Sequence, residues 1–282
     1  MFSLEHVSNV AHWLTPTNFF AQQSDIIARR EEGTGLWLLN SNEYKRWIKE
    51  ETLALFCPGI PGAGKTMMSS IVVDDLRKTY GDNDRIGIAC LFCSYKRQNE
   101  QGSADLLASL LKQLVQVHEV LPDVVEALHK EHSKRNTRPS FKDLSEVLHS
   151  VANGYSRVFI IIDALDECKN ADGDRERLLH KIFKLQSQAR ISVFAASRFI
   201  PEIQKEFEGS ISLEIRASDE DVKRYVDGHM PRLFCVKRNT EMQEKIKTEV
   251  VKAVGGMYVP FNLARVHQLV NSGTGFSLHS FT

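Results

Sequence analysis

Charge of one sign is what this 282-residue chain most plainly lacks: 36 Lys and Arg stand against 36 Asp and Glu, a formal net charge of zero. A strongly acidic or basic disordered chain is thereby excluded, and nothing in the balance draws the whole surface to nucleic acid or to an anionic membrane. Long apolar runs are missing too, and none approaches the roughly 18 residues that a bilayer span requires. The start, Met1-Phe2-Ser3-Leu4-Glu5-His6, has no basic end leading into an apolar stretch, as a secretory signal would. Cysteine is scarce: five residues, too few for a disulfide scaffold and odd in number, fit a reducing, cytoplasmic setting. Repeats with a period of about 20–50 residues and low-complexity tracts are absent as well.

What is present is the composition of a folded domain, 42% hydrophobic and 26% charged. At roughly 150 residues per domain, the length suits two units, or one large α/β domain with an appendage. Apolar runs at Leu53–Cys57, Ile86–Cys93, Val158–Ile162 and Ile191–Ala196 read as strands, with a weaker one at Ile211–Ile215. Continuous apolar runs imply strands covered on both faces, as in a parallel sheet. Between them, Thr66–Tyr80, Ala104–Glu119, Phe141–Val151 and Arg175–Gln188 read as helices, and Leu106, Leu107, Leu110, Leu111 and Leu114 make one apolar face. The alternation predicts an open α/β sheet over residues 36–215. Residues 1–35 read as a polar segment, helical or linker, anchored by Trp13, Phe19 and Phe20. Residues 216–282 read as a small helical appendage. It opens on the cap Ser218-Asp219-Glu220-Asp221, with further helical stretches near 239–254 and 262–271.

The strongest chemical signal is Gly59-Ile60-Pro61-Gly62-Ala63-Gly64-Lys65-Thr66, a full match to G-x-x-x-x-G-K-[ST] between a strand and a helix. Glycine lets the backbone wrap a phosphate with its N–H groups pointing inward. Lys65 would serve the β- and γ-phosphates, Thr66 would ligate Mg²⁺, and the following helix adds its positive end. The expected nucleotide contacts therefore run from Gly59 to Met67. The second signal is Asp163 at the end of the most β-branched strand, the usual place for an acid that holds Mg²⁺. It leads into Asp166 and Glu167, candidates to polarise an attacking water. The third is Ser197-Arg198 at the end of the fourth strand, where an open sheet places its ligands; Arg198 could read a third phosphate.

Other features carry less. Cys90-x-x-Cys93 has metal-like spacing, but in a strand residues three apart face opposite sides, so these read as structural cysteines. His129 and His132 read as a solvated helix face. The basic stretch Lys130–Arg138 reads as a loop without the interleaved aromatics of a nucleic-acid groove.

Taken in order, these elements resemble a NACHT domain, a branch of the STAND class of P-loop NTPases. Ala164 between Asp163 and the later acidic pair is similar to the NACHT form of that motif. The likeness is closer still to fungal proteins whose NACHT or nephrocystin 3-like N-terminal domain precedes ankyrin or WD repeats, vegetative incompatibility proteins among them. It rests on Trp13-Leu14, Arg29-Arg30, Gly33-Thr34-Gly35-x-Trp37-Leu38-Leu39, Trp47 and Cys57–Thr66, and further on Phe92-Cys93-x-Tyr95-Lys96, Leu110–Leu114 and Ala217-Ser218-x-x-Asp221-Val222-x-x-Tyr225-Val226. The resemblance implies a five-stranded parallel sheet of order 5-1-4-3-2. It also implies a switch in which nucleotide exchange and slow hydrolysis change how the core packs on a helical lid, controlling self-association. Gly255-Gly256-Met257-Tyr258 resembles a family motif, but Val259-Pro260-Phe261-Asn262 intervenes before Leu263-Ala264-Arg265, a departure in the lid. The sequence ends at Thr282 with no repeat domain, so residues 216–282 read as a lid remnant.

The expectation is thus a cytoplasmic, Mg²⁺-dependent nucleotide-binding switch with slow NTP hydrolysis. ATP is favoured over GTP because no N/T-K-x-D motif is evident. Nucleic acid and membrane are not expected partners. The rival reading is a non-hydrolysing interaction module in which bound nucleotide is a structural staple.

Overall fold

The computed structural model describes residues 4–170 and 173–229, and beyond them Thr240, Gln243, Glu244, Lys247 and Thr248. The chain forms two compact units, one of residues 1–30 with 35–215 and one of residues 31–34 with 216–282.

In the first unit a five-stranded sheet forms the centre. Its strands are β1 (Ala54–Pro58), β2 (Ile86–Phe92), β3 (Arg157–Asp163), β4 (Ile191–Ser197) and the short β5 (Ile211–Ser212). Every pairing is parallel. The order across the sheet is β2-β3-β4-β1-β5, which from the other edge is 5-1-4-3-2. All residues of β1 and β4 are buried, as their unbroken apolar runs require. The fifth strand is shorter than the sequence suggested: pairing proper covers Ile211–Ser212, though the N–H groups of Leu213 and Ile215 still donate to Phe56 and Pro58 of β1.

Residues 1–30 are not set apart from this core. Helices α1 (Leu4–Leu14) and α2 (Phe19–Ile27) pack on it, and Val7, Val10 and Phe19 belong to the buried cluster. Too few apolar positions mark them in a polar stretch for their periodicity to stand out; tertiary contact decides. Two short helices follow, α3 (Leu36–Asn40) and α4 (Asn42–Lys49), and then α5 (Lys65–Tyr80) after β1. Helix α6 (Ser103–Val115) packs against β2 and α8 (Phe141–Gly154). Between them lies α7 (Asp123–Arg135), which corrects the reading of Lys130–Arg138 as a loop: the helix continues to Arg135 and ends on Asn136, whose φ is +50°. Charge hides it, since only Val125 and Leu128 are buried. The unit is completed by α9 (Asp174–Gln188) and α10 (Pro201–Glu206).

Edge strand β2 shows how the fold finishes a sheet. Its outward-facing backbone groups are met by two buried amides. Gln113 accepts from the Cys90 N–H (2.9 Å) and donates to the Cys90 carbonyl (2.8 Å). Gln101 donates to Phe92 O (3.2 Å) and accepts from Ser94 N–H (2.8 Å). A side-chain amide thus replaces the missing neighbour strand. Replacing Gln113 with Leu leaves two buried backbone groups unpaired, at about 1–3 kcal/mol each. Urea unfolding of Gln113→Leu is therefore expected to show a loss of about 2–4 kcal/mol; a midpoint equal to wild type would show that the amide is dispensable.

The cysteines behave as strand geometry demands, with one surprise. Cys90 turns to Gln113, whereas Cys93 is joined to Cys168 in a disulfide, with a Cα–Cα distance of 5.3 Å and a sequence separation of 75. This corrects the expectation of cysteines without cross-links. β2 and β3 are neighbours in the sheet, so residues just past their ends meet although nothing in the local spacing pairs them.

The second unit contains α11 (Asp219–His229). Ser218 caps it by accepting from the Asp221 N–H (3.1 Å), as its sequence suggests, and Arg224 donates to Gly33 O (2.7 Å). Within 239–254 the five described residues are helical; the stretch 262–271 and the segment Gly255–Arg265 lie outside the described residues.

Candidate functional site

The sheet order decides which loops meet. β3, β4 and β1 lie side by side, with Pro58 opposite Ser197 and Ile162 opposite Ala195. Their carboxyl ends therefore bring together the loop after β1, Asp163 and the pair Ser197-Arg198, all expected from sequence to be site residues.

The loop from Gly59 to Gly64 leaves β1 and feeds α5. Gly59 N–H donates to Ser197 O (3.0 Å), which ties the loop's start to the end of β4. A Cβ at Gly59 would lie 2.5 Å from the Ile215 carbonyl oxygen, so no larger residue fits. Gly64, with φ +88°, stands at the N-cap of α5 in a left-handed conformation that suits glycine. No side chain caps this helix, so its first N–H groups face the loop. Ala63 is buried and Ile60 and Met67 pack against the core, while Pro61, Gly62 and Thr66 are exposed. Lys65 Nζ donates to the carbonyls of Gly59 and Ile60, both at 2.8 Å, and so spans the loop it follows. Burial lowers its pKa, against the opposing pull of Asp166, Asp163 and Glu167.

Asp163 ends β3 and is 1% exposed. Its Oδ1 accepts from Ser69 Oγ (2.8 Å), and the Thr66 side chain also favours its charged form. Burial pushes its pKa up to about 6, opposed by these side chains and by the Lys65 charge. Ser69 is a partner of Asp163 that the sequence reading missed. The signal was available: it lies three residues after Thr66 on one helix, and such positions share a face.

Beyond Asp163 the chain turns sharply. Ala164 adopts φ +52°, a left-handed conformation that costs a residue with a Cβ about 1–2 kcal/mol. The strain lets the 3-10 turn Leu165–Glu167 carry its two acids to different neighbours. The Asp166 side chain, 2% exposed, lies against the end of β4. It accepts from Arg198 N–H (3.0 Å) and Ser197 Oγ (3.3 Å) on Oδ1, and from Arg198 Nε on Oδ2. Burial opposes its ionisation, but the Arg198 hydrogen bonds and charge outweigh this and hold its pKa below the ordinary value. Glu167 turns the other way, accepting from the Tyr95 N–H (3.2 Å), with Gln98 donating to its carbonyl (3.2 Å). Among the described residues no helix is long and apolar enough to cross a membrane, and no cluster of three or more His, Cys, Asp and Glu could hold a metal.

Comparison with known proteins places the chain. The family described as "Nephrocystin 3, N-terminal" matches residues 33–198, more than half its length. The chain belongs to this family. The matched segment runs from Gly33 to Arg198 and so contains the Gly59–Thr66 loop, Asp163, Asp166, Glu167 and Arg198. Over 237 residues the chain is 26% identical to vegetative incompatibility protein HET-E-1 of Podospora anserina, a match covering 79% of this chain and 17% of that protein. It thus spans about a sixth of the length of that curated relative. Similar solved structures include Drosophila ORC bound to DNA, at 14% identity and TM-score 0.45, covering 82% of this chain and 58% of that one. They include also a Walker-type ATPase of Pyrococcus abyssi, at 12% identity and TM-score 0.45, covering 81% and 66%.

Proposed function

We propose that this chain is a nucleotide-binding switch of the NACHT type that takes a nucleoside triphosphate, ATP in preference to GTP, together with Mg²⁺ and hydrolyses it slowly. The observation that carries the reading is the meeting of the Gly59–Thr66 loop, Asp163 and Arg198 at three adjacent strand ends. The donor set fits a hard divalent cation. A buried carboxylate that accepts from one hydroxyl, with the Thr66 side chain and a lysine charge also acting on it, is the oxygen-based, anionic environment that Mg²⁺ accepts. The loop fits a phosphate chain, because it combines an uncapped helix start with glycines where a Cβ would clash or strain.

In this reading Lys65 exchanges its two loop carbonyls for the β- and γ-phosphate oxygens. Thr66 and Asp163 hold Mg²⁺, which when bound neutralises charge on the phosphates. Glu167, half-exposed at the turn, orients the attacking water, and Arg198 meets the γ-phosphate. Positioning and charge supply the catalysis, since phosphoryl transfer asks little covalent chemistry of the protein. The difference between di- and triphosphate contacts at this site would bias a bistable element and, through it, self-association in the cytoplasm.

The test is nucleotide titration with and without Mg²⁺. Asp163→Asn keeps an acceptor for Ser69 but removes the charge. Its affinity for MgATP is expected to fall about ten- to hundredfold, the range for a lost charge-assisted contact, with no change in EDTA. Equal losses in both conditions would make Asp163 a structural residue, and wild-type protein that binds no nucleotide would overturn the reading.

A further inference from the structure

Asp166 lies in the acidic pair where a water-activating base is expected, yet its surroundings suit a different task. A general base needs a free lone pair beside its water and a pKa close to the working pH. Asp166 is poorly suited on both counts, since it is closed to solvent and engaged at both oxygens. Its side chain is 2% exposed, both oxygens accept hydrogen bonds from the end of β4, and, against the effect of burial, the Arg198 hydrogen bonds and charge hold its pKa below the ordinary value. Glu167, its neighbour in the turn, faces away toward Tyr95, so the two acids do not share one water.

We propose that Asp166 is a positioning residue that fixes the Arg198 guanidinium for a terminal phosphate, and is not the group that activates water. The inference rests on the nucleotide reading above. The bond to Asp166 runs through Nε, the inner edge of the guanidinium. The Arg198 side chain remains 49% exposed, so the opposite, Nη-bearing edge of a planar fork is presented outward at the end of β4. The backbone N–H of Arg198 bonds to the same carboxylate. One buried acid therefore sets both where the arginine's main chain sits and the plane in which its side chain lies. Sheet order makes this possible: β3 and β4 are neighbours, and the left-handed turn at Ala164 swings the acid across to β4. A long side chain held in its binding geometry before the ligand arrives avoids most of the ordering cost it would otherwise meet on binding.

The decisive experiment measures MgATP and MgADP affinities for the full chain in wild type, Asp166→Ala, Asp166→Asn, Arg198→Ala and the Asp166→Ala/Arg198→Ala double variant. A freed Arg198 must be ordered by the ligand, so Asp166→Ala is expected to weaken MgATP about three- to tenfold while MgADP stays within about twofold. Asp166→Asn retains an acceptor for the Arg198 N–H and should fall between. The double variant should be no weaker than Arg198→Ala, because Asp166 acts through that residue. The ratio of the two affinities cancels any general loss of folded protein. Unchanged discrimination with abolished turnover in Asp166→Asn would restore Asp166 as the base and overturn the proposal. So would tighter MgATP binding, which would make Asp166 a competitor for the arginine. A wild type that binds neither nucleotide would instead fell the underlying reading.

Discussion

Lys65→Ala is expected to lower affinity for MgATP by at least about a hundredfold, while thermal and urea unfolding of the protein without nucleotide remain close to wild type. The two halves of the result have separate causes. Each charge-assisted hydrogen bond from an ammonium to a phosphate oxygen is worth about 1.5–3 kcal/mol, and the lysine is expected to serve two phosphates, so its loss multiplies. Folding is spared because Lys65 fills no part of the buried cluster. Its two bonds are to the carbonyls of Gly59 and Ile60, whose loop is held independently by the Gly59 N–H bond to Ser197 O, and burial already works against the ammonium there. Isothermal titration beside a urea melt separates the outcomes. Binding equal to wild type would mean that the Gly59–Thr66 loop is not the phosphate site, and an unfolded variant would make the lysine structural.

A large expected effect on stability lies at the opposite end of β3. Arg157 donates to the carbonyls of Trp47 (2.8 Å), Ile48 (2.5 Å) and Glu50 (2.7 Å) at the end of α4, and to Ser192 Oγ of β4 (3.1 and 2.8 Å). Its guanidinium also lies 4.4 Å from the Phe159 ring centroid. A helix C-terminus carries carbonyls without intrahelical donors and a partial negative charge, so one cation satisfies several needs there. It also locks α4, and with it the fully buried Trp47, to the start of the sheet. Arg157→Ala is expected to cost about 3 kcal/mol, with Arg157→Lys recovering only part because an ammonium cannot span the same fork. Urea midpoints at unchanged slope would measure it. Arg157 and Asp163 stand at the two ends of the strand, about 20 Å apart, so nucleotide affinity of the folded fraction should not change. A shift below about 0.5 kcal/mol would show that water replaces the arginine freely.

Legibility differed from element to element for physical reasons. β1, β3 and β4 are buried on both faces and so appear as unbroken apolar runs, and α6 is rich in leucine because nearly all of its surface is covered. Helices α1, α2 and α7 bury few residues each among polar neighbours, and their periodicity is too sparse to read without the surfaces they pack on. The glycine loop, Asp163 and Arg198 were legible as types at strand ends. Most of their partners were not: Tyr95 and the division of labour between Asp166 and Glu167 depend on which strand ends are neighbours.

The sequence by itself determined the strand–helix alternation, the loop that α5 must follow, and the strand ends at which chemistry could gather, because these follow from local periodicity and from backbone freedom at particular glycines. Only the tertiary structure decided that Asp166 faces Arg198, that Gln101 and Gln113 close the edge of β2, and that Cys93 meets Cys168. Each of those pairs residues that lie far apart in the chain or turn on a single strained residue, Ala164. Neighbouring parallel strands are joined through long crossovers, so the contacts between their ends are set by sheet order and not by spacing along the chain.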